Sequence, residues 1–300
     1  MTLTELALDD LALAGLVLCI TVGISLACGL GLEASIAIAA ARMAVQLGAV
    51  ALLFKVVLEQ ASPLCTAVAA LVMVAVAGGE LARRQELCIR GWYTQALCHL
   101  TLLVGVAISI LCPLAGMIGP EPWYAPRYVL PVLALLSGST LASASVALQT
   151  LTHGAMAERG AIEARMAQGA RRFIAFAPLL RHALKAALSP FLQAMSASGL
   201  LALPGTMAGQ MLAGADPLAA AKFQMLLTVA LAGAGGLGAV TAALGGVLLL
   251  SDRRHRLRLD RLRRAAPRPR LATRLARWVA AGRRLGGRLP WLRVGSGALP

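Results

Sequence analysis

Charged side chains are scarce in this 300-residue chain: Asp, Glu, Lys and Arg together make up 14% of it, and aromatic residues make up 4%. Soluble domains carry about a quarter charged residues, so this composition excludes an ordinary water-soluble fold. Hydrophobic residues account for 59% of the chain, and the mean hydropathy is +0.77. No run shows the polar-apolar alternation of outer-membrane strands, so we predict membrane-spanning helices that satisfy their own backbone.

Several catalytic motifs are also missing. There is no GxxxxGK[ST] phosphate loop, which excludes nucleotide binding by that loop. The four histidines form no HxxxH or HExxH pair and the six cysteines form no CxxC pair, so no metal site or cofactor is predicted, and the cysteines are interpreted as small core residues. A membrane enzyme, such as a lipid-modifying transferase, would need clustered acids, histidines or a nucleophile. We find only scattered ones and predict that the chain is not an enzyme.

Seven apolar runs are predicted as membrane helices, near residues 10–31, 35–58, 64–81, 96–118, 129–150, 191–213 and 221–250. Each approaches the roughly 20 residues that a helix needs to cross the hydrocarbon core. The predicted fold is therefore an all-α, polytopic membrane helical bundle. The first run follows acidic residues instead of a basic segment, which favours a retained span over a signal peptide.

Positive charge collects in alternate loops. Basic residues follow the third span (Arg83, Arg84, Arg90), the fifth span (Arg159, Arg165, Arg171, Arg172, Arg181, Lys185) and the seventh span. The loops at 59–63, 119–127 and 214–222 are short and poor in Lys and Arg. By the positive-inside rule the amino terminus is predicted outside and the carboxyl terminus in the cytoplasm of a multi-pass inner (plasma) membrane protein. We expect a permease domain over 1–250, with a cytoplasmic loop at 151–190, and a tail over 251–300.

The tail holds fifteen arginines against two aspartates, which is +13 of the formal net charge of +15. Apolar residues recur among the arginines near helical spacing (Leu271, Leu275, Trp278, Val279, Leu285, Leu289). This spacing predicts a basic amphipathic helix on anionic lipids, and a solvated disordered tail fits the composition equally well. No nucleic-acid-binding module is visible, so no nucleic acid is expected as a partner.

The longest cytoplasmic loop predicts a short helix from Arg159 to Ala167, stopped by Gly169. Its sequence Glu163-Ala164-Arg165, followed by Gly169-Ala170, resembles the "EAA" loop of ABC-transporter permeases. That resemblance implies a rigid knob that docks on a separate ATPase subunit. The alternative is a surface helix with an ordinary glycine cap.

A second segment, "SASGLLALPGTMAGQMLAGADPLAAAKFQ" at 196–224, is apolar but interrupted. Pro204 and Gly205 predict a kink or unwound turn that exposes carbonyls, and Asp216 is predicted to cap the next helix. Gly205 and Gly209 form a GxxxG step that permits close helix approach. Broken helices line substrate paths in transporters, so the candidate path residues are Arg42 and Gln46 on one face of the second span, with Pro204, Gly205, Met207, Gln210 and Gln224. Helix packing and a capped turn are the alternative interpretation.

These segments together resemble the FetB-type iron-export ABC permease family, which also includes plant aluminium-tolerance permeases. The resemblance covers roughly residues 10–250 and rests on Arg42, Gln46, Glu163, Gly169, Ala170, Gly199, Leu203-Pro204-Gly205, Met207, Gly209, Gly214, Asp216-Pro217, Lys222 and Gln224. The loop departs from the wider permease motif, because Arg181 and His182 stand where Leu-Pro is expected. The arginine-rich tail extends beyond the family core.

The resemblance implies the transmembrane subunit of an exporter, with iron as its cargo and ATP hydrolysed on a separate cytoplasmic subunit. Seven spans are few for a full pathway, so a homodimer is expected. No carboxylate or imidazole cluster marks an iron site, and the metal ligands stay unknown. A secondary transporter, or an ABC permease for another substrate such as a nucleotide sugar, remains the alternative.

Overall fold

The structure is a computed structural model, and it describes residues 8–29, 33–60, 62–89, 92–111, 113, 125–199, 203–252 and 256–264. Its helices are α1 (Leu8–Ala27), α2 (Glu33–Gln60), α3 (Pro63–Arg84), α4 (Tyr93–Ser109), α5 (Pro126–Ala157), α6 (Arg159–Ala167), α7 (Arg172–Ala175), α8 (Ala177–Ala197), α9 (Gly205–Leu212) and α10 (Pro217–Leu250). Two short strands, β1 (Leu87–Ile89) and β2 (Leu262–Arg264), and a 3₁₀ turn (Leu259–Arg261) complete the described elements.

Four of the described helices, α2, α3, α5 and α10, are long and apolar enough to cross a membrane. Shorter apolar stretches occupy α1 (Gly15–Ala27) and α4 (Tyr93–Ser109). These six helices overlap the first five predicted spans and the seventh, and the membrane helical bundle is confirmed. The end of the fourth predicted span, near 114–118, lies outside the described residues.

The sixth predicted span, 191–213, is not one helix. Its residues belong to two helices, because α8 ends at Ala197 and α9 begins at Gly205. Gly199 adopts φ +90°, a left-handed conformation that favours glycine and cannot continue an α-helix. Pro204 lies in an extended conformation and has no backbone N–H to give to a preceding turn.

The described chain divides at Leu52 into two compact units. The amino-terminal unit contains α1 and the first part of α2, where the Ser25 hydroxyl donates to Oε1 of Glu33 at 3.4 Å. The larger unit runs from Leu53 to Ala265. It contains the remaining helices and both strands.

In the larger unit α5 and α10 pack along each other, and α4 and α8 each contact both of them. The packing is close because glycines face side chains of the neighbouring helix. A Cβ built on Gly238 of α10 would lie 2.5 Å from Cγ2 of Thr140 on α5, and one built on Gly105 of α4 would lie 2.6 Å from the same atom. Thr140 therefore occupies a notch between two glycines. Such small residues let membrane helices approach closely.

The helix α8 runs antiparallel to both α5 and α10. Near its amino end Ala183 packs in one cluster with Leu151, Ala243 and Val247. Farther along, Ala187 packs with Ala147 and Ala239, and the Phe191 ring lies where a Cβ on Gly235 would be 2.6 Å away. From one contact to the next the residue numbers rise in α8 and fall in α5 and α10, so α8 is antiparallel to both helices.

Three basic segments meet at one end of this unit. The strand β1, which follows α3, pairs antiparallel with β2 of the tail, with Leu87 opposite Arg264 and Ile89 opposite Leu262. The Gln149 amide of α5 donates to the Arg84 carbonyl at 3.2 Å. Leu257 packs against the same core cluster as Met166 of α6. The loop after α3, the α6 region and the start of the tail thus share one end of the bundle.

The notch around Thr140 gives a prediction for Gly238→Ala. The added methyl group collides with Cγ2 of Thr140, so we expect a loss of about 1–3 kcal/mol in the free energy of unfolding, as for other overpacked cores. Gly138→Ala on α5 is the matched control, because nothing lies within 4 Å of a Cβ built there. Unfolding of the detergent-solubilised variants by denaturant measures the difference.

The same collision predicts a rescue by Thr140→Ser. Serine lacks Cγ2 but keeps the hydroxyl that donates to the Leu136 carbonyl at 2.8 Å. The double variant with Gly238→Ala should recover most of the lost stability. Equal losses for Gly138→Ala and Gly238→Ala, or no recovery in the double variant, would contradict this account of the packing.

Candidate functional site

The chain between α8 and α10 is not one continuous helix; it contains the short helix α9. The helix α9 has eight residues, and it begins directly after Pro204, which has φ −58° and ψ 137°. The break predicted at Pro204 and Gly205 is present, and it starts earlier than expected because Ser198 is already extended. Residues 200–202 lie outside the described residues. A break of this kind is tolerated at membrane depth only where protein or water satisfies the freed backbone groups.

The turn from α9 into α10 is tightly specified. Gly214 has φ +91°, its N–H bonds to the Met211 carbonyl at 3.0 Å, and the Ala215 N–H bonds to the Gln210 carbonyl at 3.0 Å. This pair of bonds is a Schellman motif, which ends a helix by satisfying its last carbonyls. The Asp216 carboxylate then accepts the Ala219 N–H at 3.0 Å, which confirms the predicted cap of α10.

A polar side-chain cluster joins α9 to α10. The Thr206 hydroxyl donates to Oε1 of Gln224, and the Gln224 amide donates to Oγ1 of Thr228 at 3.1 Å. The Thr228 hydroxyl in turn donates to the Gln224 carbonyl at 2.7 Å. All three side chains are half-buried. Gln224 was among the path residues predicted from the sequence, whereas both threonines were not. The signal available for Thr206 was a hydroxyl directly after Pro204-Gly205.

The other path residues selected from the sequence lie in both units. In the larger unit Pro204, Met207 and Gln210 are half-buried and Gly205 is exposed. Arg42 and Gln46 lie one turn apart on α2 in the amino-terminal unit, and both are exposed. Within the described chain, nothing lies within 4 Å of a Cβ built on Gly205 or Gly209, so the close helix approach predicted for that pair is not formed there.

The second candidate region is α6, whose bounds match the predicted Arg159 to Ala167 helix. One face is buried: Ile162 and Met166 pack in a cluster with residues from α5, α8 and α10 (Leu151, Leu179, Ala183, Val247, Leu250). The helix ends where Gly169, with φ +87°, donates its N–H to the Met166 carbonyl and the Ala170 N–H bonds to the Arg165 carbonyl. The predicted glycine stop is thus confirmed as a Schellman motif.

The opposite face of α6 is exposed. It carries Glu163 and Ala164. Nε of Arg159, one turn earlier, donates a hydrogen bond to Oε1 of Glu163 at 2.8 Å and forms an ion pair with it. Gly169 is also exposed, whereas Ala170 packs against the cluster under the helix. An exposed ion pair of this kind contributes less than about 1 kcal/mol, so the position of α6 is set by its apolar face.

The start of the tail folds back beside α6. The Arg258 N–H bonds to the Leu250 carbonyl at 2.9 Å, and the Arg258 guanidinium donates twice to Asp260 at 3.0 Å. These hydrogen bonds, with the attraction of the Asp260 charge, raise the pKa of Arg258 above its ordinary value. A groove of about 340 Å³ separates the two segments and is lined by Glu163, Met166, Ala167, Arg256 and Leu257. Residues 271–289, for which an amphipathic helix was predicted, lie outside the described residues.

The described residues contain no group of three or more His, Cys, Asp or Glu side chains placed to hold a metal ion. The candidate path offers neutral oxygen atoms instead, from the Thr206 and Thr228 hydroxyls and the Gln224 amide. Such groups provide hydrogen bonds but no charge.

Comparison with known proteins identifies the family of this chain. The uncharacterised protein family UPF0014 matches residues 8–248. The UPF0014 membrane protein STAR2 of Oryza sativa subsp. japonica is 31% identical over 218 residues, which are 73% of this chain and 74% of the relative. Protein ALUMINUM SENSITIVE 3 of Arabidopsis thaliana is 27% identical over 77% of this chain and 82% of its own length.

A bacterial relative extends over more of the chain. The "Probable iron export permease protein FetB" of Escherichia coli is 25% identical over 256 residues, which are 85% of this chain and 96% of the relative. No solved structure matches the chain.

The polar cluster predicts the effect of Thr206→Val. This change keeps the shape of the side chain but leaves the half-buried Gln224 amide oxygen without its donor, at a cost of about 1 kcal/mol. We expect the α9 amides to exchange with deuterium about fivefold faster. Thr241→Val is the control, because that hydroxyl bonds only within α10, to the Leu237 carbonyl. Unchanged exchange in α9 would show that the link does not hold it to α10.

Proposed function

Because the chain belongs to the uncharacterised protein family UPF0014 and one relative is named as a probable iron export permease, we propose that it is the transmembrane subunit of an ABC exporter driven by a separate cytoplasmic ATPase. The observation that carries the proposal is the two-sided α6 helix. One side is anchored by Ile162 and Met166 on the ends of three long helices, and the other side is exposed. A rigid, anchored knob is what a transporter needs to receive movement from another subunit.

The docking face of this knob is formed by Glu163 and Ala164, with Gly169 and Ala170 fixing its end. Because α6 shares one cluster with α5, α8 and α10, a push on it is delivered to all three helices. ATP-driven approach of two ATPase subunits would then rock these helices between inward and outward access. The β1–β2 pairing extends the same end of the bundle to the loop between α3 and α4.

The proposed topology has seven spans, with the amino terminus outside and the carboxyl terminus in the cytoplasm of the inner (plasma) membrane. The meeting of the three basic segments at one end supports a common cytoplasmic side for them. Two permease subunits around a two-fold axis, each with its own ATPase, complete the transporter. The tail beyond the strand β2 is proposed to lie on anionic lipids.

The proposed translocation path passes the broken segment at Pro204, Gly205, Met207, Gln210 and Gln224. Arg42 and Gln46, in the amino-terminal unit, are proposed separately as path residues. The support for the path at the broken segment is the local break and the Thr206–Gln224 link described above. Iron is the proposed cargo, because the FetB relative is named as a probable iron export permease.

The docking face predicts opposite outcomes for two substitutions of the same exposed residue. Ala164→Arg places a long charged side chain in the contact and should lower ATPase affinity at least about tenfold, which corresponds to about 1.4 kcal/mol. Ala164→Ser keeps a small surface and should bind as the natural chain does. Co-purification of the permease with its ATPase, titrated by ATPase concentration, measures both.

The thermal unfolding of the permease alone is the control for that experiment. Since Ala164 is exposed, neither substitution should change it. If Ala164→Arg binds the ATPase as tightly as Ala164→Ser, α6 is not the docking element.

Export itself is tested in inverted membrane vesicles that contain both subunits. Labelled iron should accumulate inside the vesicles only when ATP is present and the permease carries Ala164 or Ser at position 164. Accumulation without the ATPase would point to an ion-driven transporter. If the complex in the vesicles hydrolyses ATP but no iron accumulates, iron is not the cargo.

A further inference from the structure

The helix α8 carries a polar stripe opposite its packed face. The stripe comprises Ser189, Gln193 and Ser196, spaced by four and three residues, and Lys185 continues it towards α6. Gln193, Ser196 and Lys185 are exposed and Ser189 is half-buried, and the Gln193 amide donates to the Ser189 hydroxyl at 3.3 Å. A shallow groove of about 370 Å³ follows the stripe, lined by Ser189, Leu192, Gln193, Ser196 and Ala197.

The stripe lies level with the middle of two long helices. Next to it in sequence, Phe191 packs at Gly235 and beside Ser143. Gly235 is near the centre of the 34-residue α10, and Ser143 is near the centre of the 32-residue α5. Both helices are long enough to cross the membrane. The polar face of α8 is therefore placed at the depth of the hydrocarbon core.

Lipid is a poor environment for this face. Within α8 the Ser196 hydroxyl donates to the Leu192 carbonyl at 2.8 Å, and one Gln193 N–H is used by Ser189. The Gln193 amide keeps a second N–H and an oxygen that hydrocarbon cannot satisfy. Pro190 lies inside α8 and lacks an N–H, so the Ala186 carbonyl loses its helical partner at the same level. By contrast, exposed residues of α10 at similar depth are apolar, for example Val229, which is 60% exposed. The α8 face therefore requires water, cargo or protein against it, because lipid does not satisfy its polar groups.

We propose that this face of α8 lines the water-filled route through the membrane and contacts the cargo. The inference rests on the proposed function and extends it, because these residues are not among the path residues derived from the sequence. The wall offers hydroxyl and amide groups without negative charge, and Lys185 adds positive charge towards the α6 end. Its chemistry fits a cargo that brings its own oxygen ligands and has no net positive charge, such as an iron ion inside an anionic chelate.

Water access is tested by cysteine labelling of the full-length permease in vesicles with its ATPase. In a background without the six native cysteines, Gln193→Cys and Ser196→Cys are treated with a charged, water-soluble thiosulfonate. Only the ionised thiolate reacts, and it forms in water and not in lipid. We expect both positions to react at least about tenfold faster than Val229→Cys, the lipid-facing control. Equal rates at the three positions would overturn the inference.

This outcome is separable from the proposed function. Slow labelling of Gln193→Cys in a chain that still exports with its ATPase would overturn the α8 route alone. Fast labelling in a chain that binds no ATPase would overturn the ABC assignment and leave the route in place.

The cargo class is tested with the same vesicles and a single change of charge. Labelled iron is supplied either as its anionic citrate chelate or as the aquated ferrous ion. Gln193→Glu, nearly identical in size, should slow accumulation of the chelate by about tenfold through repulsion, while Gln193→Leu controls for loss of the amide. Faster transport of the aquated ion by the natural chain, or faster transport of the chelate by Gln193→Glu, would overturn the proposed cargo class.

Discussion

The contact of Thr140 with Gly105 and Gly238 sets the spacing of α4, α5 and α10, and the other contacts of the larger unit depend on that spacing. Lipid supplies no hydrophobic force between helices, so tight packing and interhelical hydrogen bonds must hold them. With the helices this close, the Ser139 hydroxyl of α5 reaches the Leu231 carbonyl of α10 at 2.6 Å. The same closeness creates the flat surface around Gly235 on which Phe191 of α8 packs.

Once Phe191 is fixed, the orientation of α8 is fixed as well. Its apolar residues pack on α5 and α10, and its hydroxyls and amide are left on the opposite side. The polar stripe is therefore a consequence of packing that occurs elsewhere. A helix with its polar groups turned inward would have satisfied them within the bundle. Its present orientation is stable in a membrane only if that side meets water or protein.

Local signals in the sequence predicted local structure well. The Gly169 stop, the Asp216 cap and the Arg159 to Ala167 helix each depend on a few adjacent residues, and each is present as predicted. The apolar runs also indicated the long helices, since length and hydropathy are sufficient for that purpose. The site residues themselves stay predictions, because no bound cargo or partner defines their roles.

Contacts between distant segments could not be read from the sequence. Thr206 and Gln224 are eighteen residues apart, and nothing in either local pattern announces that they bond. The pairing of β1 with β2 joins the loop after α3 to the start of the tail, which are far apart in the chain, and three-residue strands are too short to produce a periodic signal. The Thr140 notch is formed only when α4, α5 and α10 are packed together. In each case the information lies in the packing and not in the spacing of residues along the chain.

The two candidate regions are joined by one rigid element. The amino end of α8 belongs to the cluster under α6, and its 21 residues extend about 30 Å before the break at Ser198. Although Pro190 removes one backbone hydrogen bond, α8 continues through it to Ala197, so a displacement at α6 is carried along the helix. Beyond the break, α9 has eight residues, none of them buried, and its described side-chain tie to α10 is the Thr206–Gln224 bond. In the proposed exporter α9 is therefore the element that moves most easily. Opening of the route would begin with loss of the Thr206–Gln224 hydrogen bond.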